Sequence, residues 1–131
     1  MKTFSTLALA LITGIATAQT AKTQKPMETT ITEIVIYQIK AEKAKNFPAI
    51  LDNVRTNVSK ATGFVSYRTL RWTKEPNHFI ASENTYIDIV EWETLKDTAN
   101  AMKMAEKDPA FGEFFTSIEK ITIMGHFNFY K

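Results

Sequence analysis

Apolar residues recur along the chain at two spacings, one typical of strands and the other typical of helices. β-branched residues crowd positions 31–40, and residues 64–72 form a second extended stretch. A third stretch covers 79–92, where the polar residues at 82–84 predict a bulge or a break. The last strand is predicted over 121–130.

Helical spacing separates the first two strands. One apolar stripe recurs every three or four residues and comprises Phe47, Ile50, Leu51, Val54 and Val58. We expect Asn46 to cap this helix, Pro48 to lie in its first turn and Gly63 to end it.

A second helical region follows the third strand. Thr94 and Asp97 have the spacing of a capping box, and apolar residues continue at helical spacing as far as Ala105. Asp108-Pro109 then interrupts the helix, because proline disfavours the helical conformation of the residue before it. Residues 110–118 are predicted to form a short further helical piece.

This order of elements predicts an α+β, ferredoxin-like fold, in which a four-stranded antiparallel sheet carries both helices on one face. The other face should then be polar, yet apolar residues point to both sides at 34–36, 87–90 and 123–124. Monomers rarely expose so large an apolar face. We therefore predict a homodimer whose two sheets face each other as an α/β barrel, with a ligand cavity inside the barrel or between helices and sheet.

The first 18 residues have the pattern of a secretory signal peptide. Lys2 supplies the positive start, and the apolar run ends near Ile15, too short for the roughly 20 residues that span a bilayer. Ala16-Thr17-Ala18 supplies the small residues that precede cleavage. We predict a leader over 19–30, a folded domain over 31–131, and a periplasmic or secreted protein without stable membrane insertion.

Composition excludes several kinds of chemistry. The 131 residues include 16 Lys+Arg and 14 Asp+Glu, a net charge of +2 that is too small for a dedicated nucleic-acid binder. The chain has no cysteine and only two histidines, which disfavours a transition-metal site. It also has no glycine-rich phosphate loop and no nucleophile elbow. We predict neither a metal nor a cofactor.

Three stretches resemble antibiotic biosynthesis monooxygenase (ABM)-like domains of the dimeric α/β-barrel superfamily: Gly63–Arg68, Asp88–Leu95 and Asp108–Phe115. The likeness extends over roughly 31–131. It implies a dimeric barrel and includes cofactor-free oxygenases of phenolic or quinol substrates, haem-degrading enzymes and members without known activity. The haem-degrading members resemble one another in an iron-binding histidine on the second helix, and this chain has no histidine between Thr94 and Ile118.

His126 is the predicted general base. By strict alternation it shares one side of the last strand with Met124 and Asn128, while Ile123 and Phe127 take the side that packs on the helices. His126 would then face the barrel interior and could move a proton there. The alternative is a structural histidine at the dimer interface.

Asp88 lies in the middle of the third strand, on the same side as Tyr86 and Val90. Because an isolated buried charge is costly, we expect Arg68 on the second strand to pair with it, either in a site or as a structural pair. Tyr37, Tyr67 and Tyr86 complete the predicted substrate-binding set with Met124 and Asn128.

Three functions are consistent with these residues. The first is a cofactor-independent monooxygenase that holds a small aromatic or quinol substrate, with His126, Asp88 and Arg68 as catalytic residues. The second is a non-catalytic module that binds a hydrophobic small molecule. The third is a structural dimer without a ligand.

Overall fold

The computed structural model describes residues 30–73 and 83–129. The predicted signal peptide and nearly all of the predicted leader lie outside these residues, so their prediction stays open. The described elements are β1 (Ile31–Ile39), α1 (Phe47–Val58), β2 (Phe64–Arg71), β3 (Thr85–Trp92), α2 (Leu95–Ala105), α3 (Pro109–Ser117) and β4 (Ile118–Phe127). A short 3₁₀ turn over Ala41–Lys43 links β1 to α1. No helix within the described ranges is long and apolar enough to cross a membrane.

The four strands form one antiparallel sheet in the order β2-β3-β1-β4. The central strands β3 and β1 are therefore hydrogen-bonded to a neighbouring strand on both sides, whereas β2 and β4 are the edge strands. The helices pack on one face. The ferredoxin-like α+β prediction is confirmed.

An aromatic cluster anchors the helices to the sheet. Tyr37 of β1 is fully buried, with its ring stacked on Tyr86 of β3 at a centroid distance of 5.9 Å. Phe114 of α3 meets the Tyr37 ring edge-on at 5.3 Å, and Phe47 of α1 lies 5.0 Å from Tyr86. Because such ring pairs add to the energy of area burial, this cluster fixes α1 and α3 over one end of the sheet.

The predicted cap of α2 and the predicted break before Pro109 are found in the structure, whereas the two ends of α1 differ from the prediction. Thr94 accepts a hydrogen bond from the backbone N–H of Asp97, and Asp108 accepts one from Ala110 at the start of α3. Asn46 occupies the cap position of α1 but makes no side-chain cap bond. That helix ends at Val58, well before Gly63.

Strand register decides which side chains share the helix-covered face. Val35 lies opposite Asp88 on β3 and opposite Met124 on β4, so these three point to the helices. Ile36 lies opposite Ile123, on the open face. The prediction that Ile123 and Phe127 pack against the helices is therefore wrong, since both lie exposed on the open face and Met124 takes the covered one.

β4 is also longer at its start than predicted, beginning at Ile118. Its register with β1 shifts between Ile36 and Tyr37 and again between Gln38 and Ile39. Each shift turns the following residues to the other face, so alternation along β4 does not run unbroken.

Gly63 occupies the turn before β2 with a φ of +75°, a conformation that side chains disfavour. A Cβ placed there would clash with the Cγ atom of Asp97, in the first turn of α2. The Gly63 carbonyl also accepts the backbone N–H of Glu93 at 2.8 Å. This turn thus joins the start of β2 to the start of α2 and leaves no room for a side chain.

Gly63→Ala should lower the free energy of unfolding by about 2 kcal/mol, because it combines an unfavourable φ with a clash. Urea denaturation followed by circular dichroism measures the change. Gly112→Ala is the matched control: a Cβ at that helical position meets no atom within 4 Å, so alanine should leave stability unchanged or raise it. Equal stability of the two variants would contradict the account of the Gly63 turn.

Candidate functional site

A cavity of about 330 Å³ lies between the covered face of the sheet and the helices. The sheet contributes its floor, and α1, α2 and α3 contribute its walls. Most of the lining is apolar, and its polar and charged members are Glu33, Asn57, Lys60, Tyr67, Asp88, Thr98 and Asp108. Its size and composition are those of a site for a small organic molecule.

Asp88 is the central polar group of the floor. The residue is only 2% exposed, yet it accepts hydrogen bonds from three hydroxyl groups. Tyr37 and Tyr67 donate to its Oδ2 at 3.0 and 2.8 Å, and Thr69 donates to its Oδ1 at 2.6 Å. Since a carboxylate offers about four acceptor positions, one remains for a ligand.

Neighbouring strands bring these hydroxyl groups together. Thr69 lies directly opposite Asp88 in the β2–β3 pairing, and Tyr67 is two residues away on the same face of β2. Tyr37 comes from β1 on the other side of β3, two residues beyond Val35, the residue opposite Asp88. The antiparallel register alone therefore surrounds the carboxylate with donors.

Burial raises the pKa of Asp88 above its ordinary value of 3.8. The hydrogen bonds from Thr69, Tyr67 and Tyr37 oppose this rise, and the charge of Arg55 opposes it less. Within 30–73 and 83–129, no ammonium or guanidinium group lies within 4 Å of the Asp88 oxygens. Asp88 is therefore a buried carboxyl group held by neutral donors, with a stronger affinity for protons than an exposed aspartate.

The two tyrosines stay protonated at neutral pH and donate to Asp88. Burial raises the pKa of Tyr37 and of Tyr67, and the negative charge of Asp88 raises both further. The guanidinium of Arg55 lies 5.5 Å from the centre of the Tyr67 ring and donates to the Tyr67 backbone carbonyl at 3.3 Å. Arg55 thus holds Tyr67 in place from α1.

A second carboxylate lies on the same floor. Glu33 is opposite Val90, two residues along β3 from Asp88, and accepts the indole N–H of Trp92 at 3.1 Å. Sequence reasoning missed Glu33, Thr69 and the contribution of Trp92 to the cavity. The available signal was the alternation of β2 and β3, which places Thr69 with Tyr67 and Trp92 with Asp88.

Arg68 does not pair with Asp88, so that prediction is wrong. Arg68 lies opposite Ile89 and hence on the open face, where its Nη2 is 3.8 Å from Oε1 of Glu91. Its side chain is 63% exposed. Asp88 lies opposite Thr69, one residue along the strand, and this single step reverses the face.

The other predicted residues divide between the cavity and the surface. Tyr67, Asp88 and Met124 line the cavity, and Tyr37 reaches it through its bond to Asp88. Tyr86 is part of the buried aromatic cluster. His126 and Asn128 are exposed near the end of β4 and are not among the lining residues.

The register places His126 opposite Glu33, on the helix side of the sheet. The prediction that it faces the barrel interior is therefore wrong. Its catalytic role stays a prediction, as does that of Arg68. Among the residues that the model describes, no cluster of three or more His, Asp or Glu side chains is arranged to hold a metal ion.

Neither the protein-family models nor the curated proteins give a match to this sequence. Several solved structures, however, have a similar fold. A proposed antibiotic biosynthesis monooxygenase from Bordetella bronchiseptica superposes with a TM-score of 0.63 at 16% identity, over 79% of this chain and 99% of that one.

Two further solved structures have the same fold. A mutant form of SnoaB, a cofactor-independent oxygenase from Streptomyces nogalater, gives a TM-score of 0.54 at 17% identity, over 79% of this chain and 93% of that one. A proposed monooxygenase from Shewanella loihica gives 0.58 at 14% identity, over 79% and 96%. The chain thus has an ABM-like fold, and the resemblance drawn from its three sequence motifs is confirmed at the level of fold.

The raised pKa of Asp88 predicts a pH-dependent stability. The folded protein binds the Asp88 proton more tightly than the unfolded chain, so this group stabilises the fold most below about pH 3.8. The stabilisation is lost as pH rises through the folded-state pKa. The stability of the wild type minus that of Asp88→Asn should therefore fall as pH rises from 4 upward, as measured by urea denaturation across pH. A difference that does not change with pH would contradict the pKa rise.

Proposed function

We propose that this protein is a cofactor-independent oxygenase that converts a small phenolic or quinol substrate with O₂. The observation that carries the proposal is Asp88, a buried carboxyl group with raised pKa on the floor of an apolar cavity. The fold shared with SnoaB, a cofactor-independent oxygenase, supports the same function.

The cavity binds the aromatic ring of the substrate by apolar contact. Phe111, Phe114 and Phe115 of α3 and Val90 of β3 surround the space with hydrocarbon and aromatic surface. Such a lining excludes water and orients a flat ring, so that the hydroxyl group of the substrate points to the polar floor. Mono- and bicyclic phenols fit a volume of this size.

Asp88 acts as the general base. Its fourth acceptor position takes the hydroxyl group of the substrate, and its Oδ1, which accepts only Thr69, is the less occupied oxygen. A raised pKa brings the carboxylate closer to the pKa of the phenol and makes the transfer of the proton less unfavourable. Tyr67 and Thr69 keep the carboxylate oriented throughout.

The deprotonated substrate supplies the electrons for O₂. With a phenol whose para carbon bears a hydrogen, it transfers one electron to O₂, and the resulting radical and superoxide combine at that carbon, forming a hydroperoxide after proton transfer. The O–O bond then breaks as the carbon–hydrogen bond is lost, giving a quinone and water. One oxygen atom becomes the new carbonyl, the other becomes water, and the substrate loses the four electrons that O₂ gains.

A second candidate function is non-catalytic binding of an apolar molecule. The observation that favours it is the excess of apolar lining over polar lining in the cavity, since only the floor and part of the rim carry polar groups. Binding without O₂ consumption would distinguish this function from the oxygenase. Export into the periplasm or beyond, proposed from residues 1–18, is compatible with both.

We also propose that the open face of the sheet pairs with a second copy of the chain. Ile34, Ile36, Ile87 and Ile89 form its centre, with no helix over them. Leu70, Ile123 and Phe127 extend the apolar surface to both edge strands and are each about half exposed. A two-fold pairing covers all of these residues with the same residues of the partner, and the fold supports such a barrel.

Asp88→Asn should lower the rate of O₂ consumption with 1-naphthol by about 100-fold or more, because the amide cannot accept the proton. An oxygen electrode follows O₂, and absorbance follows the 1,4-naphthoquinone product. Glu119→Gln is the matched control, since it removes an exposed carboxylate from β4 outside the cavity lining. The control should keep the wild-type rate.

The same assay with His126→Ala decides between the two candidate bases. A full loss in His126→Ala with wild-type turnover in Asp88→Asn would overturn the assignment of Asp88. No O₂ consumption by the wild type with a panel of phenols and hydroquinones would overturn the oxygenase and favour the binding function.

Ile123→Lys should convert a dimer into a monomer, because it places a charge on the apolar open face. Light scattering coupled to size-exclusion chromatography measures the mass of both proteins. Leu95→Lys is the matched control: Leu95 is similarly exposed but lies on α2, outside the cavity lining, and its substitution should leave the dimer intact. A wild type that is monomeric at micromolar concentration would contradict the proposed pairing.

A further inference from the structure

All methionines of the described residues surround one cavity. Met102 and Met104 come from α2 and Met124 from β4, and each lines the space above Asp88. Each is also open to solvent, with exposed fractions of 36%, 55% and 44%. The three methionines thus belong to the wall of the cavity and are also accessible to oxidants in solution.

Thioethers differ chemically from the rest of that wall. The other apolar lining residues are valine, alanine and phenylalanine, together with Trp92 of the floor, and aliphatic and phenyl side chains resist mild oxidants. Methionine sulfur is oxidised to the sulfoxide by peroxides, and the product is polar and chiral instead of flexible and apolar. The chain has no cysteine, so its thioethers are its only sulfur atoms.

We propose that Met102, Met104 and Met124 are sites of peroxide oxidation and that their sulfoxides close the cavity to apolar aromatic ligands. The oxidant is hydrogen peroxide or an organic hydroperoxide. The sulfur donates an electron pair to one peroxide oxygen, an S–O bond forms as the O–O bond breaks, and water or an alcohol leaves. The sulfur loses two electrons, and the peroxide gains them.

The position of the three side chains connects this chemistry to the cavity. Met102 and Met104 share α2 with Thr98 and Ala101 of the lining, and Phe115 of α3 is an exposed aromatic neighbour in the same wall. A sulfoxide oxygen that points into the cavity needs hydrogen bonds, which water supplies only while the cavity stays wet. An aromatic ligand that displaces this water leaves the oxygen unpaired and therefore binds more weakly.

The effect on ligand binding rests on the proposed function of the cavity, whereas the oxidation itself does not. The proposed reaction also forms a hydroperoxide of the substrate inside this cavity, next to these sulfur atoms. A substrate hydroperoxide that does not go on to the quinone would oxidise these methionines. The oxidised wall would then limit further turnover. Methionine sulfoxide reductases can reverse the change.

The test treats the full-length purified protein with hydrogen peroxide, removes the oxidant, and maps sulfoxides by peptide mass spectrometry. Binding of 1-naphthol is then measured without O₂ by calorimetry. We expect all three residues to oxidise within about threefold of the rate of free N-acetylmethionine amide, since each is exposed. The affinity for 1-naphthol should fall about tenfold, and treatment with both methionine sulfoxide reductases should restore it.

The matched variant replaces all three residues by leucine, which preserves their volume and apolar character. Whatever affinity for 1-naphthol this Met102→Leu, Met104→Leu, Met124→Leu protein has before treatment, peroxide should leave that affinity unchanged. An equal loss of affinity in this variant, or unchanged affinity of a wild type whose three residues are oxidised, would overturn the proposal. Oxidation of the three residues that is more than about threefold slower than that of N-acetylmethionine amide would do the same.

The two proposals fail in different ways. If the untreated protein binds 1-naphthol but consumes no O₂, the proposed oxygenase activity is wrong. The effect of methionine oxidation on binding can still be measured in that case. An untreated protein that binds none of the phenols contradicts both the ligand site and the closing of the cavity by oxidation.

Discussion

The pairing of β1 with β3 is the constraint on which the rest of the molecule depends. This central register places Val35 opposite Asp88 and Tyr37 opposite Tyr86. Their side chains therefore share the face that the helices cover, where the aromatic cluster and the cavity floor lie side by side. A shift of one residue would exchange the covered and open faces and turn Asp88 away from its donors.

Burial of the Asp88 carboxyl group opposes its ionisation, and the proposed function uses this effect. An acid beside an arginine would have a lowered pKa and would be a weak base. The three hydroxyl donors satisfy the oxygens without supplying a positive charge, so the group keeps a raised pKa. Because its partners are neutral hydroxyl groups and not the predicted arginine, this carboxylate is better suited to accept a proton.

The sequence was sufficient for the fold and for part of the site. Strand β3 alternates without interruption, so the position of Asp88 beside Tyr86 and Val90 followed from counting. The capping residue of α2 was equally direct, because its bond lies within three residues. Such local patterns are determined by residues close in sequence and not by the strands that pair with them.

The failures concern residues whose face depends on a partner strand. Arg68 and Thr69 are adjacent, and only the β2–β3 register tells which of them meets Asp88. On β4 both faces are apolar, so hydrophobicity could not assign Ile123 and Met124 to the right sides, and the register shifts of β4 broke the alternation further. The placement of His126 in the barrel interior followed from that wrong assignment.

The unequal anchoring of the helices has an evolutionary consequence. α1 and α3 contribute the large buried side chains Phe47, Val54 and Phe114, whereas α2 buries only Thr98 and Ala105. Replacement of side chains along α2 can therefore reshape the cavity while the sheet and the Asp88 carboxyl group stay as they are. Descendants of such a scaffold could acquire new ligand preferences by drift in a single helix, at little cost to the integrity of the domain.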